Sequence, residues 1–348
     1  MGLKNCYDKK VGIAVAYEPG GRQDITDAFR CAQAIEKVLQ QAKIPVEIFK
    51  ITKDMLRNIS TLETIIREKW LTLYNLFEGF GEDAGEEITF AELVEKLNIP
   101  FTGNPSYALR NCLNKFIANK LLSEAGIRTP RSFFIQKECD SDILFKEHGF
   151  TPFFIKPCFE DASIGIDEHS LITDKSVVCE RISEKLKRFP AGIVVEEFIP
   201  GNEYNVALFG SYPYEVIGIS VIDYSCYAQC LPFVTYSTKW DADSKEYKTI
   251  MPHICSVGEL GKTFWDELVK ISIEACKVLG CEGYARVDIR QNGNNVYVID
   301  VNPNPDINDD SGFMRQAYSC GYSFNEMIIK ILSGAKTIQS DFLIKQRI

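Results

Sequence analysis

Three oxygen-bearing side chains in the C-terminal part of the sequence have the types and the spacing of a divalent-cation site. Asp288 lies in the apolar segment YARVDIRQ, Asp300 and Asn302 lie in VIDVNPN, and QNGNN separates the two segments. If the segments are antiparallel strands that turn at Gly293, residues 288 and 300 lie nearly opposite each other. Carboxylate and amide oxygens suit Mg²⁺, which completes its octahedron with water and substrate phosphate. The spacing therefore predicts a magnesium site beside a phosphate.

A second interpretation is that these acids are solvated turn residues. The apolar residues around Asp288 and Asp300 favour the cation site, because a buried pair of carboxylates without a cation is costly. A bound cation would explain why two apolar strands carry acids at facing positions.

Three lysines would supply the positive charge of a phosphate site. Lys156 ends the strand-like segment PFFIK and opens the loop PCFEDASIGI, whose backbone N–H groups can bind phosphate oxygens. Lys115 lies in a predicted long helix from Ser106 to Glu124, and Lys239 lies in YSTKWD. Each lysine alone is more typical of an exposed surface position, since lysine is rarely buried.

Two further segments have the character of binding sites. VVEEFIPGNEYNV reads as a strand and a Pro-Gly turn whose backbone would meet a purine edge while Glu203 accepts from ribose hydroxyls. The alternative, a hairpin with exposed acids, is favoured when this segment is taken alone. Ser311 and Gly312 precede FMRQAYS, and a helix that starts there offers its N-terminus to a carboxylate. A plain N-cap serine explains the same pattern, and both interpretations can hold together.

The elements that must position these residues follow from the hydrophobic periodicity. Over residues 11–125, strand-like segments such as VGIAVAY alternate with helix-like segments, which predicts a parallel sheet covered on both faces. Later segments such as RSFFI and GIVVEEFIPG look like antiparallel strands. We expect three domains: a doubly wound α/β domain over 1–112, a small α+β lobe over 113–200 and a larger α+β lobe over 201–348.

Composition excludes several classes of protein. At 348 residues, 45% hydrophobic and 25% charged, the chain is typical of a globular protein with about two or three domains. Its net charge of -9 argues against a nucleic acid or a membrane surface as the main partner. No secretion signal and no segment of about 20 apolar residues is present, so we expect a cytosolic protein.

The twelve cysteines are scattered through apolar segments such as FRCAQAI. In the cytosol they would stay reduced, and we expect most of them to be small core residues. The closest pairs, Cys226 with Cys230 and Cys276 with Cys281, lack the spacing of a zinc site.

Taken together, these segments resemble the D-alanine:D-alanine ligase family of the ATP-grasp superfamily. The resemblance extends over nearly the whole chain, and its strongest parts are NLFEGFGEDAGEE, IPFTGNPSYALRNCLNKFIANKLLSEAGIRTP, FFIKP, EEFIPGNEYNV, EGYARVDIR and VIDVNPNP. Several ordered motifs at family-like spacing are more specific than any one of them. The resemblance implies a three-domain ATP-grasp fold whose N-terminal domain is a doubly wound parallel sheet.

The resemblance also implies a role for each matching residue. The residues that would bind ATP are Lys115, Lys156, Ser163, Glu196, Glu197, Ile199 and Glu203. The residues that would bind magnesium are Asp288, Asp300 and Asn302. The implied catalytic residues are Arg286, which stabilises a developing oxyanion, and Lys239, which contacts phosphate. The implied substrate residues are Ser311, Gly312, Asp306 and Trp240.

The sequence departs from the family pattern at positions that bind substrate. Asp161, Ala162 and Ser163 stand where the family usually has Gly-Ser-Ser, so Ala162 replaces a substrate-contacting serine. Trp240 lies where a tyrosine is common, and Asp306 replaces a glycine that helps bind the acceptor carboxylate. The acid that binds the donor amine has three candidates in the first loop, which are Glu18, Asp24 and Asp27.

The implied reaction is the ATP-dependent joining of two amino acids through an acyl phosphate, as in a D-alanine:D-alanine ligase, with release of ADP. Its cofactors would be ATP and two Mg²⁺ ions, which Mn²⁺ can replace, and a homodimer is a family expectation. Two alternatives stay open: a ligase for non-alanine or L-amino acids in a natural-product or peptide pathway, and a nucleotide-binding regulator without turnover. Arg286 argues against the regulator, since ATP sensing needs no oxyanion donor.

Overall fold

The structure is a computed structural model that describes most of the chain between residues 9 and 337. The described ranges are 9–20, 23–80, 85–137, 152–161, 163–224, 231–240 and 252–337, and for residues 23, 24, 239 and 240 they include the backbone alone. Ala162, Cys226 and Cys230, which the sequence singles out, lie outside the described residues.

A parallel sheet with the strand order β2-β1-β3 forms the N-terminal part. Its strands are β1 (Lys10–Ala16), β2 (Val46–Ile51) and β3 (Trp70–Leu76), and its helices are α1 (Gln23–Gln41), α2 (Lys53–Arg57), α3 (Ile59–Lys69) and α4 (Gly85–Lys96). Successive residues of β1 point to opposite faces. Ile13 packs in one core cluster with Ile35 of α1, and Ala14 packs in another with Leu62 of α3. Helices therefore cover both faces, which confirms the doubly wound prediction.

The predicted helix from Ser106 to Glu124 is wrong as a single element, because it is broken into two. The two helices are α5 (Ser106–Leu113) and α6 (Lys115–Glu124). Asn114 between them has φ -83° and ψ 93°, and its side chain caps α6 by accepting from the backbone N–H of Ile117. The Lys115 N–H donates to the Cys158 carbonyl at 3.1 Å. This bond to a distant loop turns Lys115 away from the axis of α5.

An antiparallel sheet with the order β4-β7-β5-β6 forms the second part. Its strands are β4 (Ser132–Ile135), β5 (Phe153–Pro157), β6 (Leu171–Ile172) and β7 (Ile193–Glu197), and α7 (Val178–Arg188) follows a short 3-10 helix over Lys175–Val177. Ile182 of α7 packs against Ile155 of β5 and Val195 of β7. The antiparallel pairing is the one that the sequence predicts.

A larger antiparallel sheet with the order β10-β9-β8-β11-β12 forms the third part. Its strands are β8 (Glu203–Phe209), β9 (Glu215–Ile222), β10 (His253–Ile254), β11 (Tyr284–Asn292) and β12 (Asn295–Pro303). Its helices are α8 (Tyr236–Trp240), α9 (Val257–Leu260), α10 (Lys262–Leu279), α11 (Gly312–Ser319) and α12 (Phe324–Ser333). Leu268 of α10 packs on Val287 of β11 and Val298 of β12, so apolar helices cover this sheet as well.

The register of β11 and β12 decides where the predicted metal ligands lie. Asp288 pairs with Asp300, Arg286 pairs with Asn302, and the register shifts by a bulge between Asp288 and Ile289. The expectation that residues 288 and 300 face each other across the hairpin is confirmed.

One predicted helix start is wrong. The sequence favours a capping box of Thr263 with Asp266, but α10 begins after Gly261 without a side-chain cap. Asp266 pairs instead with Lys262 at 2.9 Å. The capping box lies one helix earlier, at Ser256 and Glu259. Gly261 has φ +77°, a left-handed conformation in which glycine is free of the Cβ penalty, so the chain turns there directly into α10.

The sequence also favours a capping box of Ser323 with Glu326 and a helix end at Gly280, and both are confirmed. Ser323 and Glu326 form the capping box that begins α12. Gly280 ends α10 in the left-handed conformation, as expected of a C-cap glycine.

The cysteines that the structure describes are free thiols. Those that are buried are Cys31, Cys112, Cys158, Cys255, Cys276 and Cys281. Within the described ranges, no group of three or more His, Cys, Asp or Glu side chains is arranged to hold a metal ion. In the same part of the chain, no helix has the length and apolar character needed to cross a membrane.

A polar joint ties the first sheet to the third. Asn104, which is fully buried, donates to the Tyr284 carbonyl at 2.7 Å and accepts from the Glu282 N–H at 2.7 Å. Asn304 accepts from the Asn104 N–H at 2.8 Å and donates to Glu87 at 2.9 Å. These hydrogen bonds fix the start of β11 against α4.

The same contacts leave the Glu87 carboxyl in a poorly solvated position. Burial, together with Asp161, raises the pKa of Glu87 to about 7 despite the bond from Asn304.

This pKa predicts a pH-dependent effect of Glu87→Gln. Because the folded-state pKa of about 7 exceeds the usual value of 4.5, ionising Glu87 opposes folding, and stability falls as pH rises between these two values. We expect Glu87→Gln to be more stable than the wild type by about 2 kcal/mol at pH 8 and by much less at pH 4.5, after allowance for partial exposure. Urea unfolding of both proteins at several pH values measures this. A stability difference that does not change with pH would contradict it.

Candidate functional site

A cavity of about 330 Å³ lies between the second and third sheets. Its walls come from both sheets and from α6 and α11. The predicted site residues that line it are Lys115, Lys156, Ser163, Glu196, Glu197, Ile199, Glu203, Arg286, Asp288, Asp300, Asn302 and Gly312. Predicted site residues that are up to about 200 positions apart in the sequence thus line the same cavity.

Four predicted residues lie elsewhere or are described only in part. Ser311 is buried, and its hydroxyl caps α11 by accepting from the Met314 N–H at 3.2 Å. Asp306 is exposed and accepts from the backbone and side chain of Asn308. Neither residue is part of the cavity wall. The backbone of Lys239 and Trp240 belongs to α8, and their side chains lie outside the described residues.

Two of the three candidate acids of the donor-amine site, Glu18 and Asp27, do not line the cavity. Glu18 pairs with Lys53 at 3.0 Å, and Asp27 lies 3.5 Å from Arg30. The side chain of Asp24 lies outside the described residues. The structure therefore brings neither Glu18 nor Asp27 to the other predicted residues.

Asp288 is a buried carboxylate with a full set of donors. Both of its oxygens accept from Arg286, at 2.7 Å from Nε and 2.8 Å from Nη2. Asn205 donates to Oδ1 at 2.8 Å, and Asn302 donates to Oδ2 at 2.9 Å. Only 7% of Asp288 is exposed, and such a charge is tolerated in the interior because it is paired and hydrogen-bonded.

Asp300 stands among three cations. Lys115 lies 3.4 Å from its Oδ2, and the Val301 N–H donates to its Oδ1 at 3.1 Å. Burial alone would raise the pKa of Asp300, but Lys115, Lys156 and Arg286 hold it below its usual value. Burial likewise would lower the pKa of Lys115, and Asp300 raises it above its usual value. Both groups are therefore charged at neutral pH.

Lys156 and Glu196 form a second buried pair, across β5 and β7. The Lys156 Nζ lies 2.9 Å from Glu196 and donates to the Ile299 carbonyl at 3.2 Å. Burial raises the pKa of Glu196 above its usual value despite this lysine. Its second oxygen, Oε2, is buried and accepts no hydrogen bond. Because a buried acceptor without a donor is costly, this oxygen indicates a ligand that brings one.

The oxygen donors of this wall fit a hard divalent cation. Asp288 and Asp300 are paired across neighbouring strands, and Asn302 directs its NH₂ group to Asp288, which leaves its carbonyl oxygen for a cation. Two carboxylates and one amide suit Mg²⁺, whose remaining ligands are commonly water and phosphate. The lysines and Arg286 around Asp300 would face the phosphate oxygens. The residues present fit magnesium with a bound phosphate, and the cation would take the place of one of the four hydrogen bonds that Asp288 accepts.

An aromatic cluster forms the apolar end of the cavity. The rings of Phe154 and Phe233 meet edge to face at 5.0 Å, and Phe198 lies 6.2 Å from Phe154. Ile199 and Ile222 complete this wall. A flat apolar slot beside the unsatisfied Glu196 oxygen has the properties of a nucleobase site.

Sequence reasoning missed Arg290, which organises this end of the cavity. Arg290 is 3% exposed. It donates to Glu203 at 3.1 Å, to the Ile199 carbonyl at 3.0 Å and to the Pro232 carbonyl at 2.6 Å. The period of two along a strand puts residues 286, 288 and 290 on one face. That periodicity is the signal that could have identified Arg290.

A buried lysine that the sequence did not single out holds the loop after Lys156. Lys185 of α7 donates to the Gly165 carbonyl at 2.7 Å and to Asp167 at 3.0 Å. Gly165 has φ +74°, and a Cβ there would lie 2.6 Å from Pro157, so only glycine fits. Ser163 also has a positive φ, of 64°. The loop is thus held in a tight turn at the cavity wall.

Comparisons with known proteins identify the family of this chain. The family model described as D-ala D-ala ligase C-terminus matches residues 121–333, which is more than half of the chain. A D-alanine–D-alanine ligase of Ectopseudomonas mendocina is 24% identical over 335 residues, covering 96% of this chain and 98% of the relative. A D-alanine–D-alanine ligase of Nitrosospira multiformis is 28% identical, covering 71% of this chain and 75% of the relative.

Solved structures confirm the fold that the sequence predicts. D-alanine–D-alanine ligase from Bacillus anthracis complexed with ATP is similar with a TM-score of 0.71 at 20% identity, over 94% of this chain and 97% of that one. VanG D-Ala:D-Ser ligase from Enterococcus faecalis is similar with a TM-score of 0.73 at 20% identity, over 93% and 99%. The chain therefore belongs to the D-alanine–D-alanine ligase family, whose members are ATP-dependent, ADP-forming ligases with the ATP-grasp fold.

Proposed function

We propose that this chain joins two amino acids in the manner of a D-alanine:D-alanine ligase. A donor carboxylate attacks the γ-phosphorus of ATP, and ADP leaves. The amine of the acceptor then attacks the acyl phosphate, so that inorganic phosphate leaves and an amide remains. The observation that carries the proposal is the pairing of Asp288 with Asp300 beside Lys115, Lys156 and Arg286 in one cavity.

ATP would lie with its base in the aromatic slot and its phosphates at the two lysines. The exocyclic amino group of adenine is a donor, and Glu196 Oε2 is a buried acceptor without a partner. The Ile199 carbonyl is taken by Arg290, which leaves the Ile199 N–H for a ring nitrogen. Glu197 turns its side chain to Arg131 at 2.9 Å, so it would contribute backbone groups. Glu203, oriented by Arg290, would accept from the ribose hydroxyls.

The phosphates would meet charge supplied by several elements. Lys115 at the start of α6 and Lys156 at the end of β5 neutralise their oxygens, and the tight loop at Ser163 offers backbone N–H groups. Lys239 would add a third lysine. When bound, Mg²⁺ neutralises charge on the transferring phosphoryl group. The residues that would hold two such ions, replaceable by Mn²⁺, are Asp288, Asp300 and Asn302.

The acceptor would lie at the N-terminus of α11. Ser311 and the Gly312 N–H group would receive its carboxylate, with Asp306 and Trp240 nearby. Arg286 uses Nε and Nη2 for Asp288, which leaves Nη1 to donate to the oxyanion formed during amine attack. A second candidate, a ligase for other amino acids, is favoured by the exposed Asp306, because an acid there does not suit the carboxylate that the usual glycine helps to bind.

Three features of the whole protein belong to the same proposal. The domains would be 1–112, 113–200 and 201–348, with the magnesium and substrate site in the last. The chain would act in the cytoplasm, as a homodimer that forms through the first domain. Its partners would be ATP and small amino acids.

The proposed reaction is tested by ADP release from ATP, Mg²⁺ and D-alanine, with mass spectrometry of the product. We expect a dipeptide, and we expect Asp300→Asn to lower turnover about 100-fold or more, the range for loss of a group that stabilises a developing charge. Asp266→Asn on the exposed face of α10 is the matched control and should leave turnover unchanged. Absence of ADP release with every amino-acid pair would refute the ligase assignment and favour a regulator.

Arg290 predicts an effect confined to nucleotide binding. Arg290→Met removes the donors that hold Glu203 and the Ile199 carbonyl, and bonds to charged groups contribute about 1.5–3 kcal/mol each. We therefore expect the KM for ATP to rise about 10- to 100-fold, with a smaller change in kcat. Steady-state kinetics measures this, with thermal unfolding as a check of folding.

The control for Arg290→Met is Arg181→Met, which removes a half-buried arginine of α7 that pairs with Glu184 at 2.7 Å and does not line the cavity. It should leave the KM for ATP unchanged. A fall in kcat at constant KM for ATP in Arg290→Met would contradict the role of Arg290 in the nucleotide site.

A further inference from the structure

The cations of the cavity wall are not all balanced by acids. Among the described residues, the cationic side chains that line the cavity are Lys115, Lys156, Arg286, Arg290 and Arg315. The first four have acidic partners within 3.4 Å, which are Asp300, Glu196, Asp288 and Glu203 in that order. The side chain of Arg315 has neither an ion pair nor a hydrogen bond to any residue in the described part of the chain.

Arg315 lies on the same face of α11 as Gly312. Residues three apart on a helix are neighbours, and Gly312, Arg315 and Gln316 all line the cavity. Arg315 therefore stands one turn along the helix from the proposed acceptor site. The proposed phosphate contacts, Lys115 and Lys156, come from α6 and β5 instead.

The position of α11 is fixed by its fully buried Gln316. The Gln316 side chain accepts from the Ala207 N–H at 3.1 Å and donates to the Asn205 carbonyl at 3.2 Å and to Ser220 at 3.0 Å. A Cβ at Gly218 would lie 2.9 Å from the Gln316 side chain, so the helix packs directly on β9. Arg315 is thus carried to the cavity wall by a firmly packed helix.

A guanidinium presents a planar fork of donors that matches a carboxylate in two parallel hydrogen bonds. A partly buried cation without a partner is costly, and an anion on a ligand would remove that cost. The acceptor's own α-carboxylate already has Ser311 and Gly312 in the proposed function. Arg315 would therefore pair with a different anionic group of the acceptor, one that lies on its side chain.

We propose that Arg315 recognises a second carboxylate on the acceptor, so that the preferred acceptor is a dicarboxylic amino acid such as aspartate or glutamate. This inference rests on the proposed ligase function. It makes Arg315 a specificity-determining residue, since it acts on the acceptor's side chain and leaves the chemistry of the acyl phosphate unchanged.

The test compares acids with their neutral isosteres as acceptors. With D-alanine as donor, ADP release and product mass are measured for aspartate against asparagine and for glutamate against glutamine, each as D and L isomers. We expect kcat/KM to be at least about 10-fold higher for the preferred acid than for its amide, in keeping with one charged bidentate contact. Arg315→Gln should bring this ratio close to one, and Arg315→Lys should keep part of it.

The other possible results distinguish a failure of the role of Arg315 from a failure of the proposed ligase function. An acid-to-amide ratio near one in the wild type, or activity confined to D-alanine as acceptor, overturns the role of Arg315 and leaves the ligase function standing. An increase in the KM for ATP in Arg315→Gln with every acceptor would assign Arg315 to phosphate and would also overturn it. Absence of ADP release with any pair would refute the proposed function itself. The wild-type comparison needs no variant, so a misfolded Arg315→Gln leaves the test intact.

Discussion

The antiparallel pairing of β11 with β12 is the constraint on which the rest of the site depends. It sets Asp288 against Asp300, and two carboxylates at facing positions on buried strands repel each other unless cations surround them. Lys115, Lys156 and Arg286 supply that charge from α6, β5 and β11. The helices and strands that carry these cations must therefore lie close to the two acids. In the same positions, the cations can also contact the oxygens of a bound phosphate.

This balance of charge accounts for features that are otherwise unrelated. The break between α5 and α6 brings Lys115 to Asp300, and the Asn114 cap makes the break stable. The Lys156 ammonium group contacts both Glu196 and the Ile299 carbonyl, so it connects the second sheet to β12. The cavity wall is thus a set of ion pairs that couple separate sheets. In the part of the wall that the structure describes, the Glu196 Oε2 atom and the Arg315 guanidinium are left for ligands.

Much of this architecture could be predicted from the sequence because local patterns determine it. The alternation of strand-like segments such as VGIAVAY with helix-like segments predicts a sheet that helices cover on both faces. The spacing from Asp288 through Gly293 to Asp300 predicts that the two acids face each other. What could not be predicted depends on distant contacts. Lys115 leaves the axis of α5 because its N–H meets the Cys158 carbonyl, although residues 106–124 have a continuous helical pattern.

The buried hydrogen bonds that support the site also depend on contacts between residues that are distant in the sequence. Arg290 and Glu203 lie 87 residues apart, and Gln316 and the Asn205 carbonyl lie 111 residues apart. No local spacing links such pairs, and the missed capping box at Ser256 was hidden by an equally plausible one at Thr263. Motif residues were found because their types are distinctive, whereas the residues that support them become recognisable only when the sheets are assembled.

A crystal structure with Mn²⁺ and a non-hydrolysable ATP analogue would show whether the facing acids of β11 and β12 bind a metal ion beside the triphosphate. We expect an anomalous peak for the metal in contact with Asp288, Asp300 and the Asn302 amide oxygen, with the triphosphate between this metal and Lys115 and Lys156. A metal bound away from these oxygens, or a triphosphate bound with Asp288 and Asp300 still paired only to Arg286 and Lys115, would contradict it.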